Sequence, residues 1–517
     1  MKLLLKFTGL LLLGTIALSL FYAAYNMRDR HRGYSIDISI TAAEPGVVKA
    51  GFAAVSITPH ISDSWIDSNH SFRFEPDKGD TYQDLSGTGR FDAVWMAGFQ
   101  NSRPAQGVHD DLWARAMVLD DGHTKIAWVV LDAIGFFGDD VIRVRKGIPD
   151  TLGIDYTIVS STHTHSAPDL LGLWGPGRFR SGVDKEYLKF VIEQAASAVI
   201  LAEERLRPAH FRFAVEENGA ASMLGDTRMP YIINPAIRLM QAVDAASDST
   251  LGILAMWDNH PETIWNKNLL ITSDFPHYFR QGLEEGLWHE GELQENGFGG
   301  TVLFAIGNIG GLMTTHPSTP VESPFTDKIY LEPTFGKVRA QGYKLAQLSM
   351  KALKNEEATL LTAGSIGLRA RSIELPLDNP LFRIGAVAGL FDRGMSSWMR
   401  FRSEIAYWTM GPASFLHHPA ELYPEIAYGG IESPDGQDFE IPPLEIPPLI
   451  EVMDGKYRFM AGLSNDMIGY VLPKSQWDQN PPHTYGYENP PYGEINSLGP
   501  ETGPILHSEI LRLILSD

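Results

Sequence analysis

The residues best suited to chemistry form a short run directly after a predicted strand. Residues 156–159 (Tyr-Thr-Ile-Val) are rich in β-branched and aromatic side chains, which predicts a buried strand. The following residues, 160–168, contain His163 and His165. Side chains alternate along an extended chain, so two histidines two residues apart point to the same side. Neutral imidazole is a common metal ligand, and the pattern therefore favours a metal site at a strand end, with two hydrogen-bonding loop histidines as the alternative.

Two further predicted strands also end in side chains that could serve a site. The apolar run 126–131 is followed by Asp132, which either faces a ligand at the sheet edge or caps a helix. The run 251–257 is followed closely by His260, in the same position relative to its strand as His163. Ligands of α/β proteins bind beyond the carboxyl ends of strands, so these residues are candidates for one shared site.

A third strand end offers backbone groups rather than charged side chains. Residues 301–306 predict a strand, and Asn308, Gly310 and Gly311 follow it. The N–H groups of the two glycines either face an anion or oxyanion, or simply make a tight turn. His109 precedes another predicted strand and could be a ligand, a substrate contact or a loop histidine; we favour the substrate contact.

The elements that would position these residues alternate between strands and helices. Amphipathic patterns predict helices over residues 184–206, from the Ser273–Asp274 cap to about residue 288, and over 337–354. Strands precede or follow each of them. This order predicts an α/β fold with a mixed sheet core flanked by helices and the candidate metal site at strand ends.

Composition narrows the class of protein. The chain has 517 residues, of which 44% are hydrophobic and 20% charged, so a large packed core is feasible. The formal net charge of −21 argues against nucleic acid as a partner, because phosphate binding needs a basic surface. The absence of cysteine excludes thiolate-bound zinc and a thiol nucleophile.

The N-terminus predicts a membrane anchor over residues 1–32. Its apolar run reaches Tyr25, is near the ~20 residues that span a bilayer, and is closed by Arg28, Arg30 and Arg32. A small-residue cleavage site is poor here, which favours an uncleaved signal anchor. We expect residues 45–517 to form a soluble domain on the periplasmic or extracellular side, with a Pro-rich surface insertion over 429–448.

Several short motifs, taken in order, resemble one enzyme family. They cover residues 51–59, 107–116, 161–168, 259–261, 308–311, 419–421 and 461–465. This ordered set is similar to that of the neutral/alkaline non-lysosomal ceramidases and the wider bacterial group around them. It extends over residues 50 to 505, nearly all of the predicted soluble part.

The resemblance implies a zinc amidase that splits ceramide, a sphingolipid, into sphingosine and fatty acid. It assigns His163, His260 and Glu421 as metal ligands, and the family adds a tyrosine near the C-terminus. Two histidines and one carboxylate form the ligand set of a hydrolytic zinc with an open position for water.

Two positions depart from the family pattern. Met313 stands where the family has a serine thought to take part in catalysis, and Met467 stands where the ligand tyrosine is expected. Tyr470 is close by but at a different spacing. Metal-activated water is then the simplest nucleophile, unless Thr314 or Thr315 replaces the serine.

These inferences lead to roles for the remaining candidates. We expect His165 to relay protons, and Asn308, Gly310 and Gly311 to stabilise an oxyanion. Substrate contacts are expected from His109, Asp132 and Tyr470.

The sequence therefore predicts a membrane-anchored, metal-dependent hydrolase, with one divalent ion, most simply zinc. Its substrate would be a lipid amide or ester, since the anchor keeps the protein near lipid. The alternatives are a hydrolase of small, non-lipid amides or esters, and a non-catalytic relative that binds a ligand at the same site. The sequence does not indicate an oligomeric state.

Overall fold

The structure is a computed structural model and describes residues 2–516. Its α-helices are α1 (Lys2–Met27), α2 (Gly138–Gly147), α3 (Lys185–Glu204), α4 (Phe275–Glu284), α5 (Phe335–Lys354), α6 (Pro380–Ala388), α7 (Pro424–Tyr428), α8 (Leu449–Val452), α9 (Tyr492–Ile495) and α10 (Thr502–Leu515).

The strands are β1 (Asp37–Ile40), β2 (Val48–Ser56), β3 (Ser64–Ile66), β4 (Thr81–Gln83), β5 (Gly107–Val108), β6 (Trp113–Asp120), β7 (Lys125–Leu131), β8 (Tyr156–Ser161), β9 (Arg207–Glu216), β10 (Ile237–Asp244), β11 (Thr250–Trp257), β12 (Leu270–Ile271), β13 (Gly286–His289), β14 (Glu292–Asn296), β15 (Thr301–Ile306), β16 (Val321–Glu322), β17 (Ile329–Tyr330), β18 (Thr359–Leu361), β19 (Ile366–Pro376), β20 (Arg400–Met410), β21 (Ala413–His417), β22 (Glu421–Leu422), β23 (Tyr457–Ala461) and β24 (Tyr470–Val471).

Two mixed sheets form the core. The nine-stranded sheet has the order β15-β11-β10-β9-β2-β6-β7-β8, with β18 paired to β9, and the five-stranded sheet has the order β1-β19-β20-β21-β23. Within them, the pairs β7–β8, β11–β15 and β21–β23 are parallel, and the other pairs are antiparallel. The predicted α/β class with a mixed core is confirmed, but the core is two sheets rather than one.

The two sheets pack face to face, with helices on both outer faces. Trp128 on β7 lies in the core between the sheets with Trp408 and Phe415 of the five-stranded sheet, whereas its neighbour Val129 faces the α2–α3 side. Successive side chains of a strand point to opposite faces of the sheet. Because both faces are covered here, β8 is buried along its whole length. Each fully buried side chain of this size stabilises the fold by roughly 1.5–3 kcal/mol.

Most predicted elements are confirmed, and one helix is shorter than predicted. The predicted strands at 156–159, 251–257 and 301–306 are β8, β11 and β15. The helix predicted to reach residue 288 ends at Glu284, because Gly286, with φ of 122°, turns the chain into β13. The Pro-rich segment 429–448 has no helix or strand.

The first helix is long and apolar enough to cross a membrane over Lys6–Met27, judged by length and composition, and none of that span is buried. The chain that follows it is held tightly to the body. Asp29 forms an ion pair with Arg402 at 2.7 Å, and Arg30 forms one with Asp392 at 2.7 Å. Residues 29–30 thus belong structurally to the body, although the predicted anchor segment ran to residue 32.

Candidate metal centre

The candidate centre lies where strand ends of the two sheets meet. His163 and His165 follow β8, and His260 follows β11, both in the nine-stranded sheet. Glu421 and Tyr470 come from the opposite side, on the short parallel pair β22–β24. In the five-stranded sheet β21 and β23 are parallel neighbours, so they end at the same edge. β22 follows β21 and β24 follows β23, which places the β22–β24 pair beyond that edge, at the site.

Backbone carbonyls fix the orientation of two histidine rings. The Nδ1 of His163 lies 2.5 Å from the carbonyl oxygen of Ile134, and the Nδ1 of His260 lies 2.7 Å from that of Met313. A carbonyl only accepts, so each ring donates its Nδ1–H and turns Nε2 towards Glu421, where the neutral form of the ring offers a lone pair. This second contact is the one that metal-binding histidines usually make.

Both Nε2 atoms point at one carboxylate. Glu421 Oε2 lies 3.5 Å from Nε2 of His163 and 3.3 Å from Nε2 of His260. The hydroxyl of Tyr470 lies 3.5 Å from the same nitrogen of His260. Ligands bound about 2.0–2.1 Å from a tetrahedral zinc are roughly 3.3–3.4 Å from one another, so these separations fit a four-coordinate ion.

The electrostatics of the pocket favour a cation. Burial raises the pKa of the Glu421 carboxyl, but His163 and His260 outweigh it and hold that pKa well below its usual range. The side chains of all three residues are almost completely buried. The buried carboxylate between two imidazole rings is stabilised by a positive charge, which protonated rings supply in the absence of metal and a divalent ion would supply when bound.

A third buried histidine completes the cluster. His165 offers a ligand atom within 4.8 Å of those of His163 and His260, so the three histidines together could hold an ion. Its Nδ1 lies 3.1 Å from Oε2 of Glu262. Burial lowers the pKa of His165 to about 4, which keeps the ring neutral at pH 7. Glycine is needed at Gly98, where φ is 107° and an added Cβ would lie 2.5 Å from the Cβ of His165.

An apolar cavity of about 110 Å³ opens onto the centre. Its polar end contains His163, His165, Glu421 and Tyr470. The rest of its wall is mostly aromatic and aliphatic, and comes from Ile134, Phe137, Leu171, Leu173, Trp174, Phe382, Phe391, Phe401, Met467, Ile468, Tyr492 and Leu498, with Gly98, Arg393, Gly469 and Asn496 between them. A cavity that is polar at one end and apolar along the rest suits an amphipathic molecule.

Two predicted substrate contacts do not line this cavity. Asp132 is buried, and Arg280 donates to both of its carboxylate oxygens at 2.9 and 2.8 Å. His109 is exposed, stacks on Phe335 with ring centroids 3.6 Å apart, and lies 3.0 Å from the hydroxyl of Tyr278. Their contacts are those of a buried ion pair and a surface aromatic cluster.

The predicted oxyanion group is likewise engaged elsewhere. The Asn308 amide donates to the Tyr428 hydroxyl at 2.9 Å, and its oxygen lies 3.0 Å from Nε2 of His418. Gly310 lies against the backbone and ring of Tyr423, where an added Cβ would clash, and Gly311 has φ of 73°. These two glycines fit the tight turn that was the alternative interpretation.

Tyr470, predicted to contact substrate, and Glu262, which the sequence did not single out, both lie at the centre. The spacing of the family pattern pointed to Met467 as the counterpart of the ligand tyrosine, but the hydroxyl at the centre belongs to Tyr470. Met467 lines the cavity wall and packs against Gly135. The only sequence feature that indicates a role for Glu262 is its position two residues after His260.

Comparisons with known proteins agree with this architecture. The family model described as neutral/alkaline non-lysosomal ceramidase, N-terminal, matches residues 79–310. The neutral ceramidase from Pseudomonas aeruginosa is similar in structure with a TM-score of 0.63 at 15% identity, covering 91% of this chain and 74% of that one. A structure of ceramidase complexed with C2 gives 0.62 at 14% identity, covering 91% and 75%. The predicted resemblance is therefore confirmed: the chain has the fold of these ceramidases, and its residues 79–310 match the N-terminal region of the neutral/alkaline non-lysosomal ceramidase family.

Proposed function

We propose that the protein is a metal-dependent hydrolase that cleaves an amide or ester bond of a membrane lipid. The observation that carries this proposal is the convergence of the two Nε2 atoms of His163 and His260 on one oxygen of Glu421. A structural zinc site usually has four protein ligands and no access, whereas this group borders a cavity.

The residues that would hold the ion are His163, His260 and Glu421, with the Tyr470 hydroxyl at the edge of the group. Zinc is the ion that best suits a set of two imidazoles and one carboxylate. When bound, it supplies an activated water and polarises the scissile carbonyl.

His165 is the candidate proton carrier. Its neutral ring has the Glu262 carboxylate 3.1 Å from Nδ1, which favours the tautomer with hydrogen on Nδ1 and a lone pair on Nε2. Among the described residues, neither ring nitrogen has a partner in hydrogen-bond geometry, and Nδ1 is the one that faces Glu262, so Nε2 would accept a proton from attacking water and deliver it to the leaving group. Glu262 would stabilise the ring while it is charged.

The apolar cavity supports a lipid over a small polar substrate. Phe382, Phe391 and Trp174 are among the side chains that would contact an acyl chain. The apolar span of α1 would hold the protein in the membrane that contains such a substrate, with the body on the periplasmic or extracellular side.

Water is the nucleophile in this proposal, since neither candidate hydroxyl lines the cavity. Thr315 donates to the carbonyl of Met223 at 2.6 Å and accepts from Asn259 and Gln341, each at 2.9 Å. The Thr314 hydroxyl lies beside the Glu262 carboxylate and does not line the cavity.

Replacing that hydroxyl tests this point. Thr314→Val should keep turnover within about threefold of wild type, because no covalent step needs the hydroxyl. Single-turnover kinetics with the metal content measured in parallel would show the effect. Loss of turnover by more than a hundredfold with the metal still bound would instead identify Thr314 as a nucleophile.

The proposal as a whole is tested by metal analysis followed by hydrolysis assays. We expect one equivalent of divalent ion per chain, and release of fatty acid from N-acyl lipids in mixed micelles that stops on chelation and returns with Zn²⁺. Stoichiometric metal without hydrolysis of any lipid or small amide or ester would favour a ligand-binding protein.

A further inference from the structure

The outer face of α6 is apolar and uncovered. Leu381 and Ile384 are 51% and 58% exposed, whereas Ala386 on the other face is buried. The charged residue of this helix, Arg383, forms an ion pair with Asp378 at 2.7 Å. A short helix with one solvent-facing apolar side is typical of an element that lies in the interface of a membrane.

α6 lies beside the last two turns of α1. The Tyr22 hydroxyl donates to the carbonyl of Ala388 at 3.2 Å, and the Asn26 amide donates to that of Val387 at 2.9 Å. A mostly apolar groove between the helices is lined by Phe21, Tyr22 and other residues of α1 and by Arg383, Ile384 and Val387 of α6. The apolar span of α1 has 22 residues, and a bilayer needs ~20, so α1 cannot cross a bilayer without bringing α6 to its boundary.

An exposed tryptophan extends the same surface. Trp398 is 77% exposed, at the tip of a turn closed by the bridge between Ser397 and Arg400. Leu377, just before α6, donates its N–H to the carbonyl of Met399 at 2.9 Å, which holds the turn next to that helix. Tryptophan is enriched at the level of lipid headgroups, where its ring is apolar and its N–H stays hydrated.

We propose that α6 and the Trp398 turn form a second membrane contact, distinct from α1, whose occupant is the outer part of a phospholipid leaflet. Because Phe382 of α6 lines the cavity, this contact would place the cavity wall at the lipid boundary, so that an acyl chain passes from the leaflet into the cavity without crossing water. The passage of substrate rests on the proposed hydrolysis of a lipid, whereas the membrane contact rests only on α1 crossing a bilayer. A bilayer is favoured over a protein partner because the surface is continuous with the unburied apolar span of α1.

The absence of cysteine allows a direct test of the contact. The full chain carrying Ile384→Cys would be labelled with an environment-sensitive fluorophore and reconstituted into phosphatidylcholine vesicles containing brominated lipid. Leu360→Cys is the matched control: Leu360 is 53% exposed. Its neighbour Leu361 contacts Gly411, which follows the last residue of β20. The Trp398 turn precedes the first residue of β20, and this strand of 11 residues separates the two sites by about 35 Å.

We expect a blue-shifted emission and about twofold quenching by brominated lipid at position 384, with neither effect at position 360. A label at 384 that remains in water while the protein is inserted in the vesicles would overturn the proposal, as would equal quenching at both positions.

A second variant tests the passage of substrate. Replacing Leu381, Ile384 and Trp398 together by serine changes exposed side chains only, so the fold should persist. We expect about tenfold slower hydrolysis of a long-chain N-acyl lipid in vesicles, and less than about twofold change with a short-chain, water-soluble amide. Equal effects on both substrates would overturn the proposed passage. Strong quenching at position 384 in a protein that hydrolyses neither substrate would refute the proposed function alone and uphold the membrane contact.

Discussion

The two sides of the candidate centre are built differently. His163 and His260 follow long, buried strands of the nine-stranded sheet, and each ring is fixed by one backbone carbonyl. Glu421 and Tyr470 lie on two-residue strands beyond the five-stranded sheet. The family model matches residues 79–310, which include both histidines and neither oxygen donor. The two histidines, which we call the nitrogen side, thus lie in the part of the chain that the family model matches. Glu421 and Tyr470, the oxygen side, lie outside it, where the tyrosine is not at the spacing expected from the family.

The difference shows how each kind of ligand is placed. A histidine next to a buried strand inherits its position from the sheet, and only a short loop separates it from regular structure. The placement of Glu421 depends instead on the return of a second segment, through the hydrogen bond from its N–H to the carbonyl of Gly469 at 3.0 Å. The position of the Tyr470 hydroxyl likewise depends on the register of β24 against β22.

Removing a nitrogen ligand should have the largest effect. His163→Ala should abolish stoichiometric metal binding and lower hydrolysis by at least about a thousandfold, because two of three firm ligands cannot hold the ion. Metal analysis and an N-acyl lipid assay would measure both. The control is His109→Ala, which should leave both unchanged, since that ring stacks on Phe335 at the surface. One full equivalent of metal in His163→Ala would contradict the assignment.

Removing the proton carrier should separate chemistry from metal binding. His165→Gln should retain the ion but lower kcat by about 10²–10⁴-fold. The pKa of His165 is about 4 and the neutral ring is the active form, so wild-type activity should fall as pH decreases through 4. That acidic limb should be altered in the variant. An unchanged pH profile in His165→Gln would assign the proton transfer to another group.

The oxygen side is tested by a pair of substitutions three residues apart. Tyr470→Phe should weaken metal affinity by about 10–100-fold, because it removes the hydroxyl next to Nε2 of His260. Met467→Leu should change that affinity by less than about twofold, since Met467 lines the apolar wall. Competition with a chelator would give both values. The reverse order would restore Met467 as the counterpart of the family tyrosine.

The smallest expected effect concerns stability. His417 and His418 are completely buried on the five-stranded side, and burial lowers the pKa of each to about 3. The unfolded chain, with its histidine pKa near 6.5, binds protons first, so stability is full above pH 6.5 and falls as pH decreases towards 3. The loss is about 1.4 kcal/mol per pH unit for each histidine.

His417→Gln should therefore reduce the fall in the free energy of unfolding between pH 7.5 and 5.5, values chosen as about one unit on each side of the histidine pKa. Denaturant titrations at the two values would measure it. His109→Gln, at an exposed position, is the control. An identical pH dependence in wild type and His417→Gln would show that this ring does not stay neutral in the fold.

The sequence predicted the strands and helices well because their signals are local. The apolar runs before His163 and His260 and the amphipathic pattern of α5 each determine their own element. Asp132 and His109, predicted as substrate contacts, lie outside the cavity lining, and the sequence did not indicate this because their partners, Arg280 and Phe335, are distant along the chain. Tyr470 could not be placed from spacing alone, since the register of β24 against β22 decides it.

The junction between α1 and the body determines which lipids the body can reach. Ion pairs at Asp29 and Arg30 fasten the chain to the body within three residues of the helix end, so there is no tether of free chain there. A long flexible linker would let a catalytic body swing towards an opposing membrane or a micelle in solution. With α1 embedded, this body is confined to the leaflet beneath it, and it would act in cis, on lipids that diffuse in two dimensions past its own anchor.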